Sequence, residues 1–298
     1  MRNCSHETAQ GRHAVVTGAS TGIGWATVKV LVEHSVHVFG GVRKSADAAR
    51  LSADFGDSFT PLHFDVTDEP AVREAAEQVA ATIGSRNLFG LVNNAGIYIG
   101  GPLAHQSLDE FRRVTEVNLF GPLVVTQAFL PLLGTDTQRG GPPGRVVNIS
   151  SITGQMGTPF QGAYVASKCA LEGYSQCLRR ELMLYGIDVI VVAPGAVVTP
   201  IWDKAKAAVD TRYAATDYAP ILREFRESAY SRQHNGLPAD RIGQVVWRAL
   251  IARRPRTRYT PLPKWQLRHW IKSKLLPARL LDRHLAPNLG RRLPRVLR

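Results

Sequence analysis

Short apolar runs alternate along the chain with longer segments whose apolar residues recur at helical spacing. The short runs lack polar alternation, which is typical of strands buried on both faces of a sheet. They occupy residues 13–17, 36–40, 62–65, 88–93, 145–149 and 187–193. Helical patterns occupy residues 23–34, 45–54, 69–83, 108–133 and 163–185. The alternation predicts an α/β fold, a doubly wound and mostly parallel sheet of Rossmann type with helices on both faces.

The pattern changes after Pro200. Residues 200–235 are mostly polar and helical in character, and we expect them to form a lid on the substrate side. A helical pattern near 239–253 and a strand-like run at 258–260 then complete one domain over residues 1–260. Residues 261–298 form a basic, amphipathic C-terminal extension.

Composition narrows the class of protein. An apolar content of 44% over 298 residues supports a substantial core. The cysteines Cys4, Cys169 and Cys177 lack metal-ligand spacing and indicate a reducing compartment. The polar N-terminus lacks the apolar stretch of a secretory signal, and no run of eighteen apolar residues predicts a membrane span. We therefore expect a cytoplasmic protein, either free or peripheral at a membrane surface, with no bound metal.

The net charge of +13 is concentrated at one end of the chain. Residues 253–298 contain fourteen Lys and Arg residues and one acid, Asp282, whereas the rest of the chain holds 23 basic and 23 acidic residues. The protein is thus a neutral body with a basic appendage. Because the body carries no nucleic-acid motif, nucleic acid is not an expected partner.

Apolar and basic residues share a helical repeat in the extension. The apolar positions are Trp265, Leu267, Trp270, Ile271 and Leu275. The basic positions four residues apart are Lys264, Arg268 and Lys272. This pattern is typical of a helix at an anionic membrane surface. Three alternatives remain: the apolar face packs on the body and shields the substrate entrance, it binds a partner subunit, or the charges are only a solvated face.

Glycines and polar residues gather where strands end. TGASTGIG (17–24) places Gly18, Gly22 and Gly24 between the first strand and the first helix. There a backbone approaches a pyrophosphate closely and the helix N-terminus favours an anion, although one glycine-rich turn alone is weak support. NNAG (93–96), NISS (148–151) and PGAVVT (194–199) follow later strands. All four motifs are therefore expected at one rim of the sheet.

YVASK places Tyr164 and Lys168 one helical turn apart, just past the NISS motif. Such a pair meets on one helix face, and taken alone it could be ordinary surface packing. A tyrosine pKa near 10 is too high for easy proton exchange at neutral pH, and a neighbouring cation lowers it. The pair is therefore suited to acid–base catalysis at a carbonyl or alcohol oxygen.

Found together and in order, these motifs resemble the short-chain dehydrogenase/reductase family over roughly residues 12–260. The resemblance implies that Tyr164 is the acid/base and that Lys168 also binds the nicotinamide ribose. Ser151 would hydrogen-bond the substrate oxygen. Ser150 competes for that role, but the thirteen residues between Ser151 and Tyr164 favour Ser151. Asn118, in EVNLFG, matches the residue that holds a water relay to the lysine; alternatively, it only bends the helix.

The resemblance also bears on the cofactor. Where NAD-preferring relatives carry an aspartate, this chain has Val42 followed by Arg43 and Lys44. This favours NADP(H), with NAD(H) as the alternative, because a guanidinium binds a 2′-phosphate that a carboxylate would repel. Thr21 departs from those NADP-preferring relatives that have a basic residue there. The other implied cofactor contacts are Gly18, Ser20, Thr21, Gly22, Ile23, Gly24, Asp65, Val66, Asn93, Ala95, Gly96, Tyr164, Lys168, Pro194, Gly195, Val197 and Thr199.

The residues expected around the substrate are mostly apolar or aromatic, and the alternative is that several are simply core. They are Tyr98, Ser151, Met156, Phe160 and Trp202. We predict an NADP(H)-dependent oxidoreductase that interconverts a hydrophobic alcohol and its ketone or aldehyde, of the retinoid, steroid or long-chain class. The motifs after the second strand and the basic extension resemble the retinol and 17β-hydroxysteroid dehydrogenase branch.

Two further expectations concern the class and assembly of the protein. The alternative function is a non-catalytic nucleotide-binding regulator or scaffold on the same fold. The complete set of Asn118, Ser151, Tyr164 and Lys168 argues against it. By resemblance, the helices near 108–133 and 163–185 form subunit interfaces, which predicts a homodimer or homotetramer; alternatively, the C-terminal extension blocks such assembly.

Overall fold

A computed structural model describes residues 11–200 and 212–285. Its centre is a seven-stranded parallel sheet in the order β3-β2-β1-β4-β5-β6-β9. The strands are β1 (Arg12–Thr17), β2 (Val36–Val42), β3 (Phe59–His63), β4 (Gly90–Asn93), β5 (Arg145–Ile149), β6 (Asp188–Val192) and β9 (Arg258–Tyr259). Two short strands pair separately, namely β7 (Val197–Val198) and β8 (Leu237–Pro238).

Helices connect the strands and cover both faces of the sheet. The first six are α1 (Gly22–Glu33), α2 (Ser45–Phe55), α3 (Glu69–Ile83), α4 (Leu108–Thr115), α5 (Gly121–Leu130) and α6 (Gly162–Glu181). Those after the sixth strand are α7 (Ala219–His234), α8 (Ala239–Ile251), α9 (Lys264–Leu275) and α10 (Ala278–Leu285).

Two apolar clusters form the core, one on each face of the sheet. On one face, α1 and α8 pack through residues such as Leu31 and Val246. On the other, α3, α5 and α6 contribute Val79, Phe129 and Leu178. A strand with both faces covered needs apolar side chains throughout, which explains the unbroken Val, Ile and Leu runs. The predicted doubly wound α/β fold is confirmed.

Two elements differ from the sequence prediction. The third strand runs from Phe59 to His63 rather than over 62–65. It is an edge strand of the sheet, where Pro61 is tolerated because one side needs no ladder donor. The predicted helix 108–133 is interrupted by π-helical turns at Glu116–Phe120 and Pro131–Thr135. Such turns often occur at functional sites, and the first of them contains Asn118.

The segment Leu108–Thr135 is, by length and composition, apolar enough to cross a membrane. In the folded chain its side chains Val114, Val125 and Phe129 are fully buried. Val125 and Phe129 belong to the core cluster on one face of the sheet. This segment therefore serves here as a core helix of the α/β fold.

All parallel strands end at the same rim, where the glycine-rich turn, NNAG, NISS and PGAVVT follow β1, β4, β5 and β6. The extension packs against this rim rather than standing apart from the body. The Trp265 indole nitrogen donates to the carbonyl oxygen of Asn235 at 3.0 Å. One face of α9 therefore packs on the body of the protein.

Candidate active site

A cavity of about 1260 Å³ lies at the carboxyl ends of the strands. It runs from the glycine-rich turn, past Ser151 and Tyr164, to the inner side of α9. Open α/β sheets bind their ligands at this place. Most of the residues predicted to bind cofactor or substrate line it, among them Gly18, Ser20, Thr21, Gly22, Ile23, Arg43, Asp65, Val66, Ala95, Gly96, Tyr98, Met156, Pro194, Gly195, Val197 and Thr199.

Tyr164 lies near the start of α6 and hydrogen-bonds Ser151 through its hydroxyl. Part of the Tyr164 ring contacts the cavity, and the ring of Tyr98 packs edge-on against it at 5.5 Å between centroids. The Ser151 hydroxyl also accepts hydrogen bonds from the amide and hydroxyl of Thr153, at 3.2 and 3.0 Å. The structure therefore brings Ser151, and not Ser150, to the tyrosine hydroxyl.

The protonation of Tyr164 follows from its surroundings. Burial raises the pKa of Tyr164 to about 12, and the hydrogen bond with Ser151 acts in the opposite direction. The phenol is therefore neutral at physiological pH. A neutral phenol has a proton to give, so this state suits donation to a carbonyl oxygen.

Lys168 lies one turn further along α6 and is 4% exposed. Its ammonium donates to the carbonyl oxygen of Ile149 at 2.9 Å and lies 5.8 Å from the centroid of the Tyr164 ring. Burial lowers the pKa of Lys168 to about 8, while the carboxylate of Glu172 raises it. Glu172 is itself buried and accepts hydrogen bonds from Arg258 at 3.2 to 3.4 Å. Lys168 thus keeps its charge at neutral pH.

Asn118 is fully buried in the π-helical turn. Its side-chain oxygen accepts from the amide of Ile97 at 2.8 Å, and its nitrogen donates to the Ile97 carbonyl at 3.0 Å. The same nitrogen donates to the Ser167 hydroxyl at 3.1 Å. A Cβ added to Gly96 would lie 3.2 Å from the Asn118 oxygen and 3.8 Å from the Lys168 ammonium. Glycine at this position therefore leaves the space between the two side chains open.

The glycine-rich turn fits a dinucleotide. Gly18 and Gly22 adopt φ of 63° and 59°, a region that side chains disfavour. The first turn of α1 carries no acidic residue, and the Thr21 side chain does not cap it. The first amides of α1 are consequently available to an anion, as phosphate binding requires. Asn94 holds the turn in place, because its side chain donates to the carbonyl oxygens of Thr17 and Gly18 at 2.9 and 3.1 Å.

Arg43 lies at the far end of the same groove, just after β2. Its guanidinium is 3.3 Å from the carboxylate of Asp65, and its side chain is 62% exposed. A second basic residue, Arg50, donates to the carbonyl oxygen of Ser20 at 2.6 Å. Sequence reasoning missed Arg50, which lies thirty residues away on α2.

Asn93, a predicted cofactor contact, is not among the residues that line the cavity. Its side chain is 2% exposed and donates to Thr126 and Asn148, each at 2.9 Å. Side chains alternate along a strand, so at the end of β4 one asparagine points to the buried side and the next, Asn94, to the cavity. Asn93 therefore joins core elements, and Asn94 is the residue of this pair at the groove.

Three other predicted contacts do not line the cavity. Gly24 is buried in α1, where an added Cβ would lie 2.1 Å from the Gly18 carbonyl oxygen, so it permits the tight turn. Lys44 is exposed at the start of α2. Phe160 packs against Phe225, with 5.2 Å between ring centroids, and Phe225 lines the cavity instead. The predicted substrate contact Trp202 lies outside the described residues.

The extension also forms a wall of the cavity, the arrangement expected if its apolar face packs on the body. The inner side of α9 contributes Trp265, Gln266, His269 and Trp270. These four residues have the spacing of one helix face. The sequence shows that spacing, but it does not show which surface the face contacts. Within the described residues, no group of three or more His, Cys, Asp or Glu side chains could hold a metal ion.

Comparison with known proteins decides the family. The family described as short chain dehydrogenase matches residues 12–210. The chain belongs to the short-chain dehydrogenase/reductase family. Its members are NAD(P)-dependent oxidoreductases, and this chain is accordingly an oxidoreductase of alcohols and carbonyl compounds. The predicted resemblance is thereby confirmed.

Relatives of this short-chain dehydrogenase are similar along most of its length. The NADPH-dependent 3-dehydrocapnine reductase of Ornithobacterium rhinotracheale is 39% identical, over 91% of this chain and 95% of that protein. Retinol dehydrogenase 5 of Mus musculus is 32% identical over 90% and 85%. The 3-ketodihydrosphingosine reductase of Bacteroides thetaiotaomicron is 33% identical over 83% and 87%.

A solved structure matches the fold of this short-chain dehydrogenase. A short-chain dehydrogenase from Streptomyces avermitilis superposes with a TM-score of 0.72 at 26% identity, covering 93% of this chain and 97% of that one. The match extends beyond residue 210, where the family profile ends. The β8–α8–β9 region is therefore part of the shared architecture.

Proposed function

We propose that this short-chain dehydrogenase is an NADP(H)-dependent reductase of a hydrophobic ketone, with Tyr164 as the proton donor. The observation that carries the proposal is the hydrogen bond between Tyr164 and Ser151 inside the cavity, with Lys168 one turn away. The relatives named for reduction of 3-dehydrocapnine and 3-ketodihydrosphingosine support the reductive direction.

Each of these side chains has a distinct role at the reacting oxygen. Ser151 donates a hydrogen bond to the substrate carbonyl and stabilises negative charge as it develops there. Tyr164 gives its proton to that oxygen. A nicotinamide cofactor, held by the glycine-rich turn and Arg43, would supply the hydride. Lys168 stabilises the tyrosinate left behind, and the open space beside Asn118 and Gly96 allows water to return a proton through Lys168.

Apolar side chains line the cavity around Tyr98 and α9, namely Ile97, Tyr98, Ile99, Met156, Trp265 and Trp270. Charged residues also line the cavity, namely Asp109, Glu110, Arg113, Arg212 and Glu224. Apolar walls bind apolar chains because burial removes hydrocarbon surface from water, a gain of about 25 cal/mol per Å². One relative supports this, since retinol dehydrogenase 5 is named for an apolar alcohol, whereas another is named for the small polar D-beta-hydroxybutyrate. The proposed substrate is therefore a ketone on a long or bulky apolar group.

Turnover of a carbonyl panel tests the proposal. NADPH consumption by the purified protein is measured with 3-ketodihydrosphingosine, all-trans-retinal, a steroid ketone and small polar ketones. We expect turnover of the apolar carbonyl compounds, with kcat/KM at least about 100-fold above that of the small polar ketones. Tight NADPH binding without turnover of any carbonyl would contradict the proposal and favour the non-catalytic scaffold.

Arg43 is the proposed 2′-phosphate ligand. Arg43→Ala should raise the KM for NADPH about 10- to 100-fold, because it removes charge-assisted hydrogen bonds, while the KM for NADH changes by less than about threefold. Lys44→Ala is the matched control, since it removes the neighbouring charge, which lies outside the cavity. Equal effects of the two variants, or an equal effect on both cofactors, would refute this role.

The outer face of α9 is the proposed membrane-binding surface. Its apolar side chains are exposed, with Leu267 at 45%, Ile271 at 43% and Leu275 at 76%. Basic residues flank them, and α9 contains no acidic residue. A face with this charge and apolarity complements an anionic lipid surface, where each basic residue contributes on the order of 1 kcal/mol. A peripheral location at a membrane would also bring the cavity close to a lipid-soluble substrate.

Co-sedimentation with vesicles tests this surface. The protein should bind phosphatidylserine-containing vesicles at low salt and release at high salt, because salt screens surface charges. Ile271→Glu should lower the partition coefficient about five- to tenfold. Ile251→Glu, at 46% exposure on α8, is the matched control and should bind normally. Equal binding of both variants would show that α9 is not the contact.

The predicted homodimer or homotetramer stays a proposal. Met183, Leu184 and Tyr185, just after α6, are exposed apolar side chains that would suit a subunit interface.

A further inference from the structure

Hydrogen bonds between the β6 region and the β9 region continue into the start of the PGAVVT motif. The amides of Val191, Ala193 and Gly195 donate to the carbonyl oxygens of Thr257, Tyr259 and Pro261, at 3.0, 2.8 and 2.9 Å. The donors and the acceptors both advance two residues at a time, as in a parallel ladder. The pairing of β6 with β9 is thus continued beyond the strands and into the motif that borders the proposed nicotinamide site.

Gln266 adds the next contact on that line. Its side-chain oxygen accepts from the amide of Ala196 at 2.7 Å. A Cβ added to Gly195 would lie 2.1 Å from this oxygen, 2.9 Å from Leu262 and 3.1 Å from Pro263. Glycine is therefore needed at 195 because the extension packs directly on its backbone. The requirement for glycine at 195 thus comes from Gln266, which lies 71 positions further along the chain.

The other hydrogen bonds described for the backbone of residues 194–196 are made with backbone groups. The carbonyl oxygen of Pro194 accepts from the amide of Ile152 at 3.0 Å, and that of Ala196 accepts from Leu237 at 2.8 Å. Among the bonds described for residues 194–196, the Gln266 bond is the one made by a side chain. Substitution of Gln266 can therefore remove one hydrogen bond to residues 194–196 without altering the hydrogen bonds between backbone groups.

The segment held by Gln266 also contacts the glycine-rich turn. A Cβ added to Gly22 would lie 3.2 Å from the side chain of Thr199. Val197 and Thr199 line the cavity on the same side. Movement of the motif would consequently change the separation between Thr199 and Gly22, and with it the width of the groove for the cofactor.

We propose that Gln266 is a positioning residue for cofactor binding: by holding the Ala196 amide, it fixes the PGAVVT motif against the glycine-rich turn. The inference rests on the proposed use of NADPH, and it makes the C-terminal extension part of the cofactor site. The inner face of α9 would then serve the cofactor and the substrate wall together, while its outer face is the proposed lipid contact.

The test compares three variants of the full-length protein. Gln266→Leu keeps the size of the side chain but lacks the acceptor, and Gln266→Glu keeps an acceptor oxygen at the same distance along the chain. Leu280→Ala changes an exposed side chain of α10 that does not line the cavity, and it is the control. NADPH affinity is measured by fluorescence titration without substrate. Hydrogen exchange of peptides covering residues 193–199 is measured without cofactor.

In Gln266→Leu we expect the Kd for NADPH to rise about 5- to 30-fold, because the Ala196 amide loses its acceptor. Exchange over residues 193–199 should become faster. Gln266→Glu should stay within about threefold of the wild type, as should Leu280→Ala. Unchanged affinity and exchange in Gln266→Leu would overturn the proposal, and so would equal losses in the leucine and glutamate variants.

Two controls separate this inference from other failures. If Gln266→Leu does not fold, as judged by its thermal transition, Gln266→Ala takes its place with the same expected results. Wild-type protein that fails to bind NADPH would refute the proposed function itself. Wild-type protein that binds NADPH, with variants that bind equally well, would refute only the role of Gln266.

Discussion

Tyr164→Phe should lower kcat for ketone reduction by about 10²- to 10⁴-fold, the range expected when a general acid is removed. The hydroxyl is the only group lost, and in the structure it hydrogen-bonds Ser151 inside the cavity. Because the phenylalanine ring retains the packing against Tyr98, the fold and the NADPH site should be unaffected. NADPH affinity should therefore remain within about threefold of the wild type.

Stopped-flow or steady-state NADPH oxidation measures this loss, and fluorescence titration measures cofactor binding. Tyr98→Phe is the matched control, since it removes a phenol oxygen from the same aromatic pair but not from the proposed donor. It should retain kcat within about tenfold. A Tyr164→Phe enzyme with full turnover would rule out Tyr164 as the proton donor.

Lys168→Met should lower kcat by about 10²- to 10³-fold while leaving the thermal stability unchanged or higher. The catalytic loss follows because the cation that stabilises tyrosinate is removed. The stability expectation follows because Lys168 is 4% exposed, and we expect the desolvation penalty of its buried charge to outweigh the loss of its hydrogen bond to the Ile149 carbonyl. A structural role alone would instead predict loss of stability together with activity.

The pH dependence of the wild type provides an independent check on Lys168. Its pKa is lowered by burial to about 8, so the ammonium is present at neutral pH and is lost as the pH rises through that value. Reductive kcat/KM should therefore fall above about pH 8, and this descending limb should be absent in Lys168→Met. The Tyr164 proton is not expected to leave in that range, because burial raises its pKa to about 12. A limb that persists in the variant would show that another group titrates.

The sequence predicts the catalytic residues because the proposed chemistry is local. Tyr164 and Lys168 are four residues apart on one helix, and their proximity follows from helical geometry alone. Ser151 and the glycine-rich turn follow strand ends, and parallel strands bring those ends to one rim. Alternation of apolar runs and helical patterns likewise determines the fold class, since buried parallel strands require it.

Contacts between residues far apart in sequence could not be predicted from local patterns and are seen only in the tertiary structure. Asn93 and Asn94 are adjacent in sequence, and only the pleat of β4 in the sheet decides that Asn94 faces the groove and Asn93 the core. Phe160 is covered by Phe225, which lies on a helix 65 residues further along the chain. No local pattern encodes such a packing partner.

In the C-terminal extension, some features follow from the sequence and others only from the tertiary structure. Its sequence determines an amphipathic basic helix with aromatic residues on one side, because helical spacing and charge are visible in the residues themselves. Which side meets the body depends on the surface that the rest of the chain presents. Only the folded structure places Gln266 on the Ala196 amide and leaves Leu267, Ile271 and Leu275 exposed. The residue types and their spacing thus come from the sequence, whereas the partner of each face is set by long-range packing.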